Sequence, residues 1–483
     1  MPTSETAKSA SKLLQRARIQ LFGFMCIVAL VFDGANFGWG PMQIILEKNR
    51  NYGHLCSSSA DSPCPEQVSK LISVSTGTSF LFVTSPFWGA LIDHRGPLIG
   101  MIISSILAWI GISCLTAASF LPGSLTPSVG DPLLYVAFTC LMFVSIMSNI
   151  LFVHTGLMFD KPETTQRIIA VLNTLFDAGT LTYLVLYQMA QWMDSKPGWI
   201  FIGYLSFAVV AFGGAILSWR YALQKKKDKE GANVDGVDDG ESCEVPSVES
   251  INEQVDDMER ADDTNDSPSG NSEEKDLPVS KLPPIRQLQT RMFILHTVYF
   301  GVAAARSTYV LATAKDFLAY LGDEDHVYLK IFTLLQPVSI LGLPLMDWII
   351  NNKGYNVAMQ SINILGIAHG VIQVSSNNLN VQVFGFVVFS FYRCFVFAIN
   401  FGFLPTYLGI AAVGRGAGLL TLCQGIMCAT SIPLANLAIN HLGGNFFWPN
   451  LIEMIVLVPL FAVVGIIGQD AQRNNFAKGV QQG

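Results

Sequence analysis

Four charged side chains fall in the middle of apolar runs long enough to cross a bilayer: Asp33, Asp177, Arg306 and Arg393. Charges at such depth are costly and usually face a partner or a cavity. Counting a rise of ~1.5 Å per residue from the ends of each run puts two acids and two bases in one layer. Two chemistries are open. The four can pair off and hold a helical bundle shut, or they can form a zwitterion site, with arginine gripping a carboxylate and aspartate receiving an ammonium. Asn149, His154, Asn173, Asn400 and Gln424 add uncharged polar groups. His296 and His369 read as interhelical hydrogen-bonding residues, and Glu453, beside Trp448 and Pro449, reads as interfacial. No metal-ligand cluster, phosphate-binding glycine loop or nucleophile with a base appears, so no metal, cofactor or catalytic residue is expected, and no nucleic acid partner.

The elements that must position these charges are membrane helices. The chain is 51% hydrophobic and 13% charged, where a soluble domain carries about a quarter charged residues. Runs of ~20 apolar residues occur near 20–44, 69–92, 98–120, 132–158, 167–190, 197–219, 291–313, 327–350, 354–375, 380–403, 415–437 and 446–468. The chain therefore reads as an all-α polytopic membrane protein with twelve transmembrane helices. The first run is too long for a signal-peptide core, so its removal is not expected.

Net charge misleads here. Residues 221–290 hold 18 of the 36 acidic and 8 of the 29 basic residues, so the acidic balance belongs to one segment. That segment is polar and poor in aromatics, and reads as a disordered cytoplasmic linker. Ser250 and Ser272 lie in acidic contexts suited to kinase regulation, while a plain solvated tether is the simpler reading. The linker separates an N-terminal tail (1–19) and a six-helix bundle (20–220) from a second six-helix bundle (291–468) and a C-terminal tail (469–483). The N-terminal tail holds Lys8, Lys12, Arg16 and Arg18, and the loops after even-numbered helices contribute Arg95, Lys161, Arg167, Lys225 to Lys227, Lys353 and Arg415. Both tails are then expected in the cytoplasm, against the contrary signal of Lys48 and Arg50. Cys56 and Cys64 fall in the first outside loop, where a disulfide is expected.

Asp33 sits in a stretch unlike its surroundings, "VFDGANFGWGP" at 31–41. Gly34, Gly38, Gly40 and Pro41 permit an unwound turn, tolerable in lipid only where it lines a cavity or meets protein. Trp39 is placed to wall a pocket. Close helix packing through small residues is the competing explanation.

Six helices, a linker and six helices suggest a repeat. "PFWGALIDHRG" (86–96) follows helix 2 and "LGLPLMDWIINNKG" (341–354) follows helix 8, each with an aspartate, Asp93 or Asp347, and then a glycine. Helix 5 opens "RIIAVLNTLFDAG" at Arg167, and helix 11 opens "RGAGLLTLCQGIM" at Arg415. The stretch containing Gly89, Asp93, Arg95 and Gly96 resembles the helix 2–3 loop motif of the major facilitator superfamily, with His94, Pro97 and Leu98 standing where basic residues are usual. The resemblance implies two pseudo-symmetric six-helix halves, clasped in one conformation by the motif's aspartate and basic residues. The departures imply a softer clasp.

Further stretches resemble the L-type facilitative amino acid transporters of solute carrier family 43. These are Gly38-Trp39-Gly40 followed by Glu47-Lys48 and Tyr52 to Cys56, "FGVAAARSTYVLATA" around Arg306, and "FSFYRCFVFAINFGFLPTYLG" with "GRGAGLLTLCQGI" and "SIPLANL". They cover roughly a quarter of the chain. The resemblance implies sodium-independent facilitative uniport of amino acids, chiefly large neutral ones, by alternating access. Arg306 and Arg393 match family positions as carboxylate anchors, with Trp39, Phe37, Tyr392, Phe395 and Asn400 shaping the pocket. Asp33 and Asp177 match no family pattern; they suit pairing with the arginines, proton coupling, or a preference for cationic amino acids. A proton-coupled transporter of another small solute and a non-transporting nutrient receptor are the rival functions. The surface membrane is the default location and a vacuolar membrane the alternative.

Overall fold

The computed structural model describes residues 4–34, 38–56, 64–121, 126–193, 197–234, 279, 282–408 and 412–473. Among them the chain is helical throughout, in twelve crossings. Helix 1 comprises Ser4–Val28, a π turn at Ala29–Asp33 and, beyond a break, Trp39–Lys48. Helix 2 comprises Pro65–Ser79, a 3-10 stretch Phe80–Thr84 and Ser85–Arg95. Helices 3 and 4 are Pro97–Phe120 and Asp131–Gly156, helix 5 is Pro162–Ala178 with Leu181–Met193, and helix 6 is Pro197–Val234. Helix 7 is Arg291–Tyr320. Helix 8 is Val327–Leu335, a 3-10 stretch Gln336–Gly342 and the run on to Gly354, where helix 9 begins and continues to Ser375. Helix 10 is Leu379–Tyr407, helix 11 is Val413–Cys428 with Ser431–Asn436 and a π turn Leu437–His441, and helix 12 is Phe447–Ile455 with Leu460–Arg473.

Nine continuous runs among the described residues are long and apolar enough to span a membrane, and one of them, Val327–Ser375, holds two crossings. The crossings outside these runs are helix 2, whose first half is rich in Ser and Thr, and helix 7, which carries Arg306, Lys315 and Asp316.

The repeat is visible in the backbone. Gly96 after helix 2 (φ 86°, ψ 161°) and Gly354 after helix 8 (φ 81°, ψ 170°) adopt nearly the same left-handed-side conformation, which glycine alone reaches without strain. Helices 2 and 8 each contain a 3-10 stretch, and helices 5 and 11 are each interrupted by a two-residue turn, at Gly179-Thr180 and Ala429-Thr430. Equivalent helices thus bend at equivalent depth.

Helix 6 runs past its expected end at 219 to Val234, into the segment read from sequence as disordered. Its lysines find partners: Lys225 pairs with Asp228 at 2.8 Å and Lys229 lies 3.8 Å from Asp160. Asp160 also accepts a two-pronged bond from Arg18 of helix 1, at 2.7 and 2.8 Å, which holds its carboxyl below the usual carboxylate range. Helices 1 and 6, packed along their lengths, leave the bundle together. The remainder of the acidic linker, with Cys243, Ser250 and Ser272, lies outside the described residues. Cys56 and Cys64 are joined as a disulfide. The two ends of the bundle are named below for what they carry, the tail end for the helix termini and the disulfide end for this bond.

Candidate functional site

Helix 1 is interrupted where the glycines allow it, and hydroxyls from three neighbours take over its freed carbonyls. Thr182 of helix 5 donates to Leu30 O at 3.2 Å, Tyr204 of helix 6 to Val31 O at 2.8 Å, and Ser145 of helix 4 to Asp33 O. Gly34 is pressed so closely on helix 5 that a Cβ would overlap the Phe176 carbonyl and approach Gly179. Both sequence readings of this stretch hold together: the helix breaks, and a glycine makes the close contact. Phe37 lies outside the described residues.

The four midplane charges do not form two pairs. Arg393 Nε donates to Asp177 Oδ1 at 2.8 Å, between helix 10 of one half and helix 5 of the other, with side chains only 1% and 2% exposed. Phe397 lies under the guanidinium at 5.9 Å, and Thr174 and Cys394 meet beside it at 3.4 Å. Asp33 and Arg306 turn away from this pair, each into its own half. Arg306 Nη2 lies 3.2 Å from His369 Nδ1 on helix 9, while its Nε and Nη1 groups have no hydrogen-bond partner among the described residues. Gly370 leaves the space this arginine needs. Glu453, expected at the interface, is half-buried and faces inward within electrostatic reach of Arg306, because Met454 packs on Gly370 and turns helix 12 toward helix 9.

Beside the Asp177–Arg393 pair lies a narrow cleft that admits no solute larger than water. Gly38, Gly40 and Pro41 of helix 1, Thr180 of helix 5, Leu311 and Ala314 of helix 7, and Leu329, Phe332, Thr333 and Gln336 of helix 8 line it. Three helix interruptions, in helices 1, 5 and 8, converge there. Thr180 connects it to the ion pair, donating its hydroxyl to Asp177 O at 3.1 Å. The polar lining groups bond to their own helices, Thr333 to Leu329 O at 2.9 Å and Gln336 to Phe332 O at 3.2 Å, so the walls are largely apolar. Trp39 does not line this space: it packs edge-on against Phe138 of helix 4 at 5.2 Å. Tyr392 donates to Ala303 O at 2.7 Å inside the second half, Phe395 lies against Gly342, and Asn400 donates to Val396 O at 2.6 Å.

Contacts between the halves stand at both ends of the bundle. At the tail end Asp93 Oδ2 accepts from the Arg415 backbone N–H at 2.8 Å and Oδ1 stands 3.4 Å from His154 Nε2. Gly89 admits the Gly414 carbonyl in the same contact. The repeat-related contact joins Arg167 to Asp347 at 3.2 Å, while Arg95 is exposed. At the disulfide end Lys315 of helix 7 donates to Glu47 of helix 1 at 2.6 Å, both side chains 7% exposed, and Gln43 donates to the same carboxylate oxygen at 2.9 Å. Sequence reasoning meets Glu47 only within the family resemblance and does not single out Lys315. Their opposite signs at the same end of helices 1 and 7 are the signal that points to them.

The family model described as Major Facilitator Superfamily matches residues 25–432. The chain belongs to the major facilitator superfamily. No curated protein matches its sequence. Among solved structures, the crystal structure of the human organic anion transporter MFSD10 (TETRAN) is similar at TM-score 0.56 and 12% identity, covering 96% of this chain and 100% of that one. At that identity the likeness is one of fold. This superfamily member is thus a multi-pass membrane transporter.

The two tail-end clasps differ in strength. Asp93 is nearly buried and bonds a backbone N–H, worth about 1.5–3 kcal/mol for a charged acceptor, whereas the exposed Arg167–Asp347 pair is worth about 0–1 kcal/mol. Asp93→Asn is expected to raise the accessibility of tail-end cysteine probes at the helix 2–11 seam several-fold, and Asp347→Asn to change it less than twofold. Equal effects would show that burial does not rank these contacts.

Proposed function

We propose that this superfamily member transports amino acids with apolar side chains, chiefly large neutral ones, by alternating access of its two halves. The buried Asp177–Arg393 pair, bridging the halves beside an apolar cavity, carries this reading. A zwitterion can enter such a pair by exchange as the halves part and the cleft widens: its carboxylate takes the Arg393 fork, its ammonium takes Asp177, and its side chain enters the apolar cleft. Neither buried charge is then left alone. A simple organic anion, the cargo named for MFSD10, would satisfy Arg393 but leave Asp177 facing negative charge. Arg393 is therefore the carboxylate anchor. Arg306, held on helix 9, serves the architecture of its own half, as do Tyr392 and Trp39.

The resemblance to solute carrier family 43 in helices 1, 7, 10 and 11 supports the same substrate class and a mode independent of sodium. It also implies unaided downhill movement, a point on which Asp33 bears below. The basic residues flanking the tail end support cytoplasmic termini, and the surface membrane remains the default host. The test is counterflow in proteoliposomes of the purified chain with radiolabelled leucine, phenylalanine, lysine, aspartate and succinate. Leucine and phenylalanine are expected to exchange; exchange of succinate with no amino acid would overturn the zwitterion site.

A further inference from the structure

Asp33 is an acid without a counter-ion. Its side chain is wholly buried, and neither carboxyl oxygen has a hydrogen-bond partner among the described residues; the Ser148 hydroxyl of helix 4 faces them. The titratable groups on the elements packed round it are few. Tyr204 on helix 6 spends its hydroxyl on Val31 O, Tyr183 on helix 5 stands beside Tyr204, and Asp177 on helix 5 is engaged by Arg393. Helix 4 contributes only Ser145, Ser148 and Asn149 at this level. No lysine, arginine or histidine among the described residues acts on the carboxyl. A carboxylate left so would carry the full cost of desolvation, which a bound cation removes.

Its position links it to the rest of the site. Asp33 ends the π turn, and Gly38, Gly40 and Pro41, a few residues on, line the cleft. The next residue, Gly34, is locked on Phe176 and Gly179, which bracket Asp177. A change in charge at Asp33 therefore bears on the ion pair through the backbone contact of Gly34 with helix 5.

We propose that Asp33 is a proton-binding site through which this transporter couples a proton gradient to solute movement. The carboxylate takes one proton from water on the side to which the site opens and returns it to water on the other; no other bond changes. The setting suits a proton, whereas a metal cation needs several oxygen ligands: Thr182, Tyr204 and Ser145 are spent on helix 1 carbonyls, which leaves Ser148 beside the carboxyl. The inference rests on the transporter reading but not on the amino acid substrate.

Infrared difference spectra of the purified full chain, titrated from acid to alkali in detergent, test proton binding without any solute. A protonated-carboxyl band is expected to disappear on alkalinisation. It should be missing in Asp33→Asn and shifted in midpoint in Ser148→Ala, a variant that leaves the acid in place. The same band in wild type and Asp33→Asn, or no band in wild type, overturns the site. In proteoliposomes at zero membrane potential, an inward acid gradient of one unit is expected to accumulate leucine up to about tenfold, the equivalent of 1.4 kcal/mol. Asp33→Asn should lose accumulation and keep leucine exchange. Accumulation driven by sodium instead, or unchanged in Asp33→Asn, overturns the coupling. Failure to move leucine at all would count against the amino acid reading and leave the infrared result to decide proton binding.

Discussion

Arg393→Gln is expected to abolish solute movement and to lower the stability of the folded protein by about 3–5 kcal/mol, the usual consequence of removing one partner of a buried ion pair. The loss arises less from the missing bond than from Asp177, left charged beside Phe397, Cys394 and the cavity wall with no donor of equal strength. Asp177→Asn should destabilise comparably by stranding the guanidinium. The double variant Asp177→Asn/Arg393→Gln separates the two roles. It removes both charges and is expected to recover most of the thermal stability in detergent while remaining inactive in counterflow. Recovery of transport together with stability would mean that the pair only holds the halves together.

The second large effect belongs to the disulfide end. Lys315→Met strands Glu47 in a contact that holds helix 1 against helix 7, so the closed form at that end loses about 3–5 kcal/mol by the same reasoning. The predicted readout is access. A cysteine introduced as Thr333→Cys, in the cavity wall, should react with a membrane-impermeant maleimide applied at the disulfide end at least about tenfold faster when Lys315→Met is added, since 1.4 kcal/mol already gives tenfold. Adding Glu47→Gln should bring the rate back toward the parent value. An unchanged rate in Lys315→Met would show that Gly40 against Leu329 and the surrounding apolar packing close this end without the charges.

The twelve crossings were legible because a bilayer imposes a length and an apolarity that few other structures satisfy. The repeat was legible because Asp93 and Asp347, and Arg167 and Arg415, occur at matching places. The pairing of Asp177 with Arg393 accords with a count of rise along helices 5 and 10. Azimuth was not legible: Asp33 and Arg306 face away from that pair, a matter of which neighbouring helix each side chain meets. Glu453 turns inward for a similar reason, through Gly370, whose role appears only when helix 12 is laid against it. Helix 6 outruns its expected end because its lysines are matched by Asp228 and by Asp160 in a distant loop. The cavity residues carry no polar signature at all; only the convergence of three helix interruptions singles them out.

The duplicated halves have come to differ at one seam. Helices 5 and 8 meet at the cavity, where Leu329, Phe332 and Gln336 stand between the backbones. Their repeat-related counterparts, helices 11 and 2, meet with almost nothing between. Gly414 lies on Asp93 and Gly89, Gly418 on Ser85 and Pro86, and Gly425 on Phe82 and Val83. A seam of side chains can change shape by rotamer changes, whereas backbone set against backbone has none to make. The molecule is thus built like a clasp knife with one stiff edge and one yielding edge: the helix 2–11 edge parts as a unit or not at all, and the slack needed to admit a solute is concentrated along helices 5 and 8.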